Sequence, residues 1–327
     1  MSDNIKIQLT PLQMINALRF GYHTDDAQEQ NQIVEELDIS KDEAEKILID
    51  KVCNYIGKLD PPIVVLVSGG VDSTFMCQMA EKCFSVKQLM TMGMDYPNAF
   101  YSYNSDKKWI NETLDLINPE TYKEVFFSSS LVVTQTMYGL AKNHGNVILT
   151  GDGGDELFCG YDKYLLPSSV CLAKNANRRI KKLINYSLLG YEGAMITPID
   201  LSLFEIDYPR IKKERMIYDI AHELKYIEIP KVETAMRMSE TVGRVHSPFL
   251  NKDIFDFCLS LPLKLKYHFG VRKVLLRRIL KKNGIHVSHK KTGFALMEKW
   301  IGNELNWSLM VLDRLIKQEI VKIVSAR

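Results

Sequence analysis

The sequence lacks several features that would fix its class at a glance. Its six cysteines, at 53, 77, 83, 159, 171 and 258, form no C-x-x-C pair and have no histidine-rich cluster beside them, which argues against zinc and iron–sulfur sites. No apolar run approaches 18 residues, so no transmembrane helix is expected. Met1-Ser2-Asp3-Asn4 opens no signal peptide, and the expected compartment is a reducing cytoplasm with the cysteines as core thiols. Charge of either sign is not in excess: 42 Lys plus Arg face 40 Asp plus Glu, a formal net charge of +2. No global field therefore calls for a nucleic acid or an anionic membrane. There is no repeat and no low-complexity segment. What is there is a chain of 327 residues, 46% of them apolar, enough for one large folded domain or two modest ones.

Within it, Ile63-Val64-Val65-Leu66-Val67 is five consecutive apolar residues, mostly β-branched. With no polar partner alternating, the run reads as a strand buried on both faces of a parallel sheet. Ser68-Gly69-Gly70-Val71-Asp72-Ser73 stops it, and Val71, Phe75, Met76, Met79, Ala80 and Phe84 then recur at helical spacing. Free backbone N–H groups at that helix N-terminus make a ready anion site. No Gly-Lys-Ser/Thr follows, so this is not a Walker loop. Any strand, glycine turn and capped helix has this outline. The full Ser-Gly-Gly-x-Asp-Ser string is sharper: it resembles the pyrophosphate loop of the ATP pyrophosphatases, which split ATP between the α and β phosphates. The resemblance implies that Asp72 holds Mg²⁺ against the leaving pyrophosphate.

Before this loop, Ser40 with Glu43 fits a capping box, and Ala44, Ile47, Leu48, Val52, Tyr55 and Ile56 form one apolar stripe. After it, residues 87–94 read as a strand ending at Gly93, Trp109 to Ile117 as a helix, Glu124 to Phe127 as a third strand, Leu131 to His144 as a helix and Asn146 to Thr150 as a strand. Alternating strands and helices predict an α/β fold, a parallel sheet with helices on both faces, with ligands at the carboxyl ends of its strands. Past Tyr161 strand alternation is no longer evident. The expected division is an amino-terminal helical segment over 1–60, a nucleotide-binding core over 61–165, and a mainly helical region over 166–327 that completes the site. Basic runs at 174–182 and 210–215 have no interleaved aromatics and read as solvated helix faces rather than nucleic-acid contacts.

The strand at 146–150 ends in Gly151-Asp152-Gly153-Gly154-Asp155-Glu156-Leu157-Phe158-Cys159-Gly160-Tyr161. Four glycines and three carboxylates do not follow the twelve-residue EF-hand spacing. The block resembles the second signature of the synthetase domain of asparagine synthetases and their β-lactam synthetase relatives. Further on, Lys231-Val232-Glu233, Ser247-Pro248-Phe249-Leu250-Asn251, Leu259-Ser260-Leu261-Pro262, Lys273-Val274-Leu275-Leu276-Arg277 and Lys290-Lys291-Thr292-Gly293-Phe294 match that family's carboxy-terminal series in order and spacing.

The resemblance implies the adenine nucleotide α-hydrolase-like fold of the pyrophosphate-loop enzymes and an ATP-dependent, amide-forming ligase that adenylates a substrate carboxylate. It implies ATP contacts from Leu66, Val67, Ser68, Gly69, Gly70, Asp72, Ser73, Met92, Gly151, Asp152 and Lys273, Mg²⁺ ligation by Asp72 and Asp155, and Lys291 at the transferring acyl centre. The implied partners are a small-molecule carboxylate and ammonia or an amine. A homodimer stands among the open assembly states.

Two departures stand out. Glutamine-hydrolysing members carry an amino-terminal glutaminase domain, but only 67 residues precede Ser68, so nitrogen is expected from solvent, another amine or a separate glutaminase. Members also read Leu-Glu-x-Arg-x-Pro-Phe-Leu-Asp, where the glutamate handles a proton. Here Arg244 stands at the glutamate and His246 at the arginine. Were the segment helical, Glu240 would share a face with Arg244 and substitute for the missing acid or pair with it, which makes Glu240 and Arg244 candidates beside Lys291. Rival readings are another pyrophosphate-loop enzyme, or a module that binds nucleotide without turnover.

Overall fold

A computed structural model describes residues 7–20, 22–23, 35–85, 89–93, 108–161, 220–221, 223–287 and 304–324. The central sheet is wholly parallel, ordered β3-β2-β4-β5, from β2 (Ile63–Val67), β3 (Leu89–Gly93), β4 (Val147–Leu149) and β5 (Val245–His246). Alternation along β2 divides the core. Ile63, Val65 and Val67, with Val147 and Leu149, face α2 (Lys41–Ile56) and α3 (Val71–Cys83). Val64 and Ile148 face α4 (Lys108–Asp115) and α5 (Leu131–Ala141). Both faces of β2 are therefore dry, as its unbroken apolar run requires. Ser40 caps α2, its hydroxyl accepting from the Glu43 N–H at 3.2 Å, which is the first half of the expected capping box.

A short helix α6 (Gly154–Leu157) follows β4, and after it a π turn (Leu224–Glu228) runs into α7 (Ile229–Ser239). Beyond β5 come a 3-10 turn (Pro248–Leu250), α8 (Lys252–Ser260), α9 (Leu263–Lys266), the antiparallel hairpin β6 (Tyr267–His268) and β7 (Val271–Arg272), and α10 (Val274–Lys282). The remaining pair is parallel: β1 (Ile7–Leu9), which leads into α1 (Pro11–Phe20), lies beside β8 (Val321–Ile323), which follows α11 (Glu304–Lys317).

Three sequence expectations are corrected. Glu124 to Phe127 is no strand of the sheet; Phe126 makes one isolated bridge to Tyr22. Its apolar residues are buried by packing instead, with Phe126 stacked on Tyr122 at 4.8 Å. The segment from Glu240 to Arg244 is not helical, because α7 ends at Ser239 and Glu240 takes a left-handed cap, φ 57°. The chain then turns into β5, so a stretch expected to lie among helices supplies the fourth strand of the sheet. No cysteine among the described residues is in a disulfide, and burial pushes Cys159 up to about 11 and Cys258 up to about 12, the behaviour of inert core thiols.

Candidate active site

The carboxyl ends of β2 and β4 are neighbours, so the two glycine blocks meet there. Ser73 closes the first loop on itself: its Oγ accepts from the Ser68 N–H at 3.0 Å, lies 3.0 Å from Ser68 Oγ and donates to the Gly70 carbonyl at 3.3 Å. Leu66 and Val67 are the last residues of β2, and Met92 of β3 is in register with Leu66 at the same edge.

Glycine in the second block is what permits contact with the first. A Cβ on Gly154 would lie 2.6 Å from Asp72 Cγ, and one on Gly151 would lie 3.0 Å from the Ser73 nitrogen. On Gly160 it would collide with Asp155 Oδ1 at 1.9 Å and crowd Lys273 Cε at 2.7 Å. These positions admit no side chain without moving the carboxylates behind them.

The third contributor comes from more than a hundred residues away. The β6–β7 hairpin is pinned to the second block, with Arg272 donating to the Gly160 carbonyl at 3.2 Å and the Lys273 N–H to the Phe158 carbonyl at 3.2 Å. Lys273, left-handed at φ 57° and 7% exposed, caps the start of α10. Its ammonium joins Asp72 and lies 2.6 Å from Asp155. Burial works against that charge, but the two carboxylates outweigh it and hold Lys273 above its ordinary value. Behind the loops, Phe249 of the 3-10 turn stacks on Phe75 at 5.9 Å and meets Phe158 edge-on at 5.5 Å, so the elements bearing the loops share one aromatic wedge.

Asp152 is held separately. Tyr138 Oη donates to its Oδ2 at 2.8 Å, Lys231 Nζ lies 3.3 Å from its Oδ1, and Ser247 Oγ donates to its backbone carbonyl at 2.6 Å. Burial would raise this carboxyl, yet Lys231 and the hydrogen bond from Tyr138 hold it below the usual range. Sequence reasoning singled out neither Tyr138 nor the roles of Lys231 and Ser247. A usable signal was present, since Lys231, Ala235 and Met238 fall on one apolar row of α7, and a lysine in such a row needs a buried partner.

Other candidates are not brought to this edge. Arg244 faces the opposite end of β4: its guanidinium donates to the carbonyls of Lys142 at 2.6 Å, Asn146 at 3.2 Å and Gly145. Gly145 abuts Pro62, where β2 begins, so Arg244 closes the turn between α5 and β4. Glu240 is exposed and pairs with Lys142 at 3.1 Å. Arg277, one turn beyond Lys273, donates to the Arg272 and Val287 carbonyls, yet lies close enough to this edge to feel the charge of Asp72. Lys291 lies outside the described residues.

The fold is a parallel α/β sheet that presents a glycine-rich loop beside a second acidic glycine block at the carboxyl ends of its strands, the edge where such sheets bind ligands. The comparison with known families is more specific. The asparagine synthase family matches residues 110–318, more than half of the chain, and the chain belongs to that family. The matched span takes in the second block and the carboxy-terminal series; the loop at Ser68–Ser73 precedes it. The chain is also similar to "Asparagine synthetase [glutamine-hydrolyzing] 1" of Bacillus subtilis (strain 168), at 25% identity over 309 aligned residues covering 76% of this chain and 48% of that protein. The chain thus spans about half the length of the curated relative it matches. No helix among the described residues is long and apolar enough to cross a membrane.

Proposed function

We propose that the chain adenylates a small-molecule carboxylate with ATP, releases pyrophosphate, and passes the acyl group to ammonia or an amine. The observation that carries the reading is the convergence of Asp72 and Asp155, from the two glycine blocks, on one cation at the strand ends. Substrate carboxylate attacks the α-phosphorus and pyrophosphate leaves; the amine then attacks the acyl carbon and AMP leaves, so one carboxylate oxygen departs in AMP.

The Ser68–Ser73 loop and the N-terminus of α3 would hold the leaving pyrophosphate, with Gly151 and Asp152 at the nucleotide edge and Lys273 near the phosphates. The residues fit Mg²⁺. Asp72 and Asp155 offer hard oxygens close enough to share one cation, and among the described residues no cluster of three His, Cys, Asp or Glu could hold an ion alone. Two carboxylates plus substrate phosphates is the usual Mg²⁺ arrangement, and when bound the ion supplies neutralisation of phosphate charge. Catalysis by this chain's residues is then positioning and charge stabilisation. An intracellular, water-soluble setting and a nitrogen donor from solvent or a separate glutaminase complete the reading.

Product analysis with Mg-ATP, ammonium and a panel of carboxylates tests it. AMP and pyrophosphate should form with one class of carboxylate and disappear in Asp72→Ala and Asp155→Ala. ADP and phosphate as products would overturn the reading. Tight nucleotide binding without any turnover would favour the binding-module alternative.

A further inference from the structure

Lys231 is 4% exposed, and a lysine so buried needs compensation. Glu228, three residues earlier and 8% exposed, provides it at 2.5 Å. Glu228 is the last residue of the π turn, and single π turns interrupting a helix are frequent at functional sites. This local pair already satisfies the charge. Yet the ammonium also reaches 3.3 Å to Asp152, 79 residues away in sequence, on the loop after β4. Asp152 is thereby held from three directions: Tyr138 on α5, Lys231 on α7, and Ser247 before the 3-10 turn.

We propose that Lys231, anchored by Glu228, is a positioning residue that keeps the Asp152 carboxylate ionised and aimed at the nucleotide edge. What Asp152 serves rests on the adenylation reading above; the contact itself does not. The groups bearing on Asp152 are Lys231 on α7, Tyr138 on α5, Glu228 on the π turn and Thr150 on its own loop, while the charge of Glu156 on α6 bears on Lys231.

The test uses the full chain labelled with [¹³C]aspartate, with Asp152→Asn assigning the Asp152 carboxyl signal. In the wild type that carboxyl should titrate below the ordinary aspartate value of 3.8. Lys231→Met with Glu228→Gln removes both charges together and strands neither. Burial is then opposed only by the remaining hydrogen bonds, and the Asp152 titration should move up, above that of the wild type. Lys231→Arg should restore the wild-type titration.

In parallel, kcat for AMP release should fall about 100-fold in the double variant with KM for ATP little changed, the signature of lost orientation. Coincident Asp152 titrations in wild type and double variant would overturn the proposal. Should the double variant not fold, Lys231→Gln takes its place in the same titration. If the wild type forms no AMP with any carboxylate, the adenylation reading fails, and the titration alone decides the positioning role.

Discussion

Removal of the Lys273 charge tests whether the two glycine blocks meet as described. Lys273→Met keeps length and apolar stem but leaves Asp72 and Asp155 facing each other. Both lie within hydrogen-bond reach of one nitrogen, so their nearest oxygens are at most about 5 Å apart, and two charges at that distance repel by about 3 kcal/mol at an effective dielectric near 20. Loss of one member of a buried ion pair costs about 3–5 kcal/mol, and the partial exposure of Asp155 favours the lower figure. In EDTA, urea unfolding followed by circular dichroism should therefore show a loss of about 3 kcal/mol in the variant. Mg²⁺ at about 100 times its dissociation constant should restore about 2.7 kcal/mol. It should stabilise the variant more than the wild type, whose ammonium already occupies the space between the carboxylates. A variant within about 1 kcal/mol of wild type in EDTA would refute the shared-cation geometry.

Three further outcomes are expected. Arg244→Glu, which restores the residue type of related enzymes, should lose about 2 kcal/mol in urea unfolding because three carbonyls lose a charged donor, and should gain no turnover; an active, equally stable variant would place Arg244 at the chemistry after all. Gly160→Ala should cut turnover about 100-fold by displacing Asp155 and Lys273, with helix content unchanged by circular dichroism; wild-type activity would mean that the close approach is not needed. His246, half-buried and bonded to Tyr55 at 3.0 Å, has its value pushed by burial below the ordinary 6.5. The unfolded state then binds the extra proton first, so stability should fall as pH drops below about 6.5 and on through the folded value. His246→Gln should flatten that limb of a thermal-melt pH profile, and an unchanged slope would remove His246 from the account.

The parts of the site written in contiguous sequence were legible before the structure. An unbroken apolar strand followed by Ser-Gly-Gly-x-Asp-Ser has few physical realisations, and β2, its loop and α3 form where the pattern puts them. Legibility failed where context decides. Val125, Phe126 and Phe127 are as apolar as a strand, but stacking and helix contacts bury them without a ladder. Val245 and His246 pair over only two residues, too few for any period to register, and that short strand is what turns Arg244 toward the amino edge of the sheet. A buried lysine such as Lys231 is written like a surface one, and only its place on the apolar row of α7 sets it apart.

The most direct test of the central claim follows an oxygen atom. The substrate carboxylate found in the product screen is labelled with ¹⁸O, and the phosphorus products of one turnover are analysed by mass spectrometry. Adenylation predicts one ¹⁸O in AMP and none in pyrophosphate, since the attacking carboxylate oxygen stays on the α-phosphorus when the amine displaces it. Label in inorganic phosphate with unlabelled nucleotide would mean attack at the γ-phosphorus, and would contradict the account of the two converging loops.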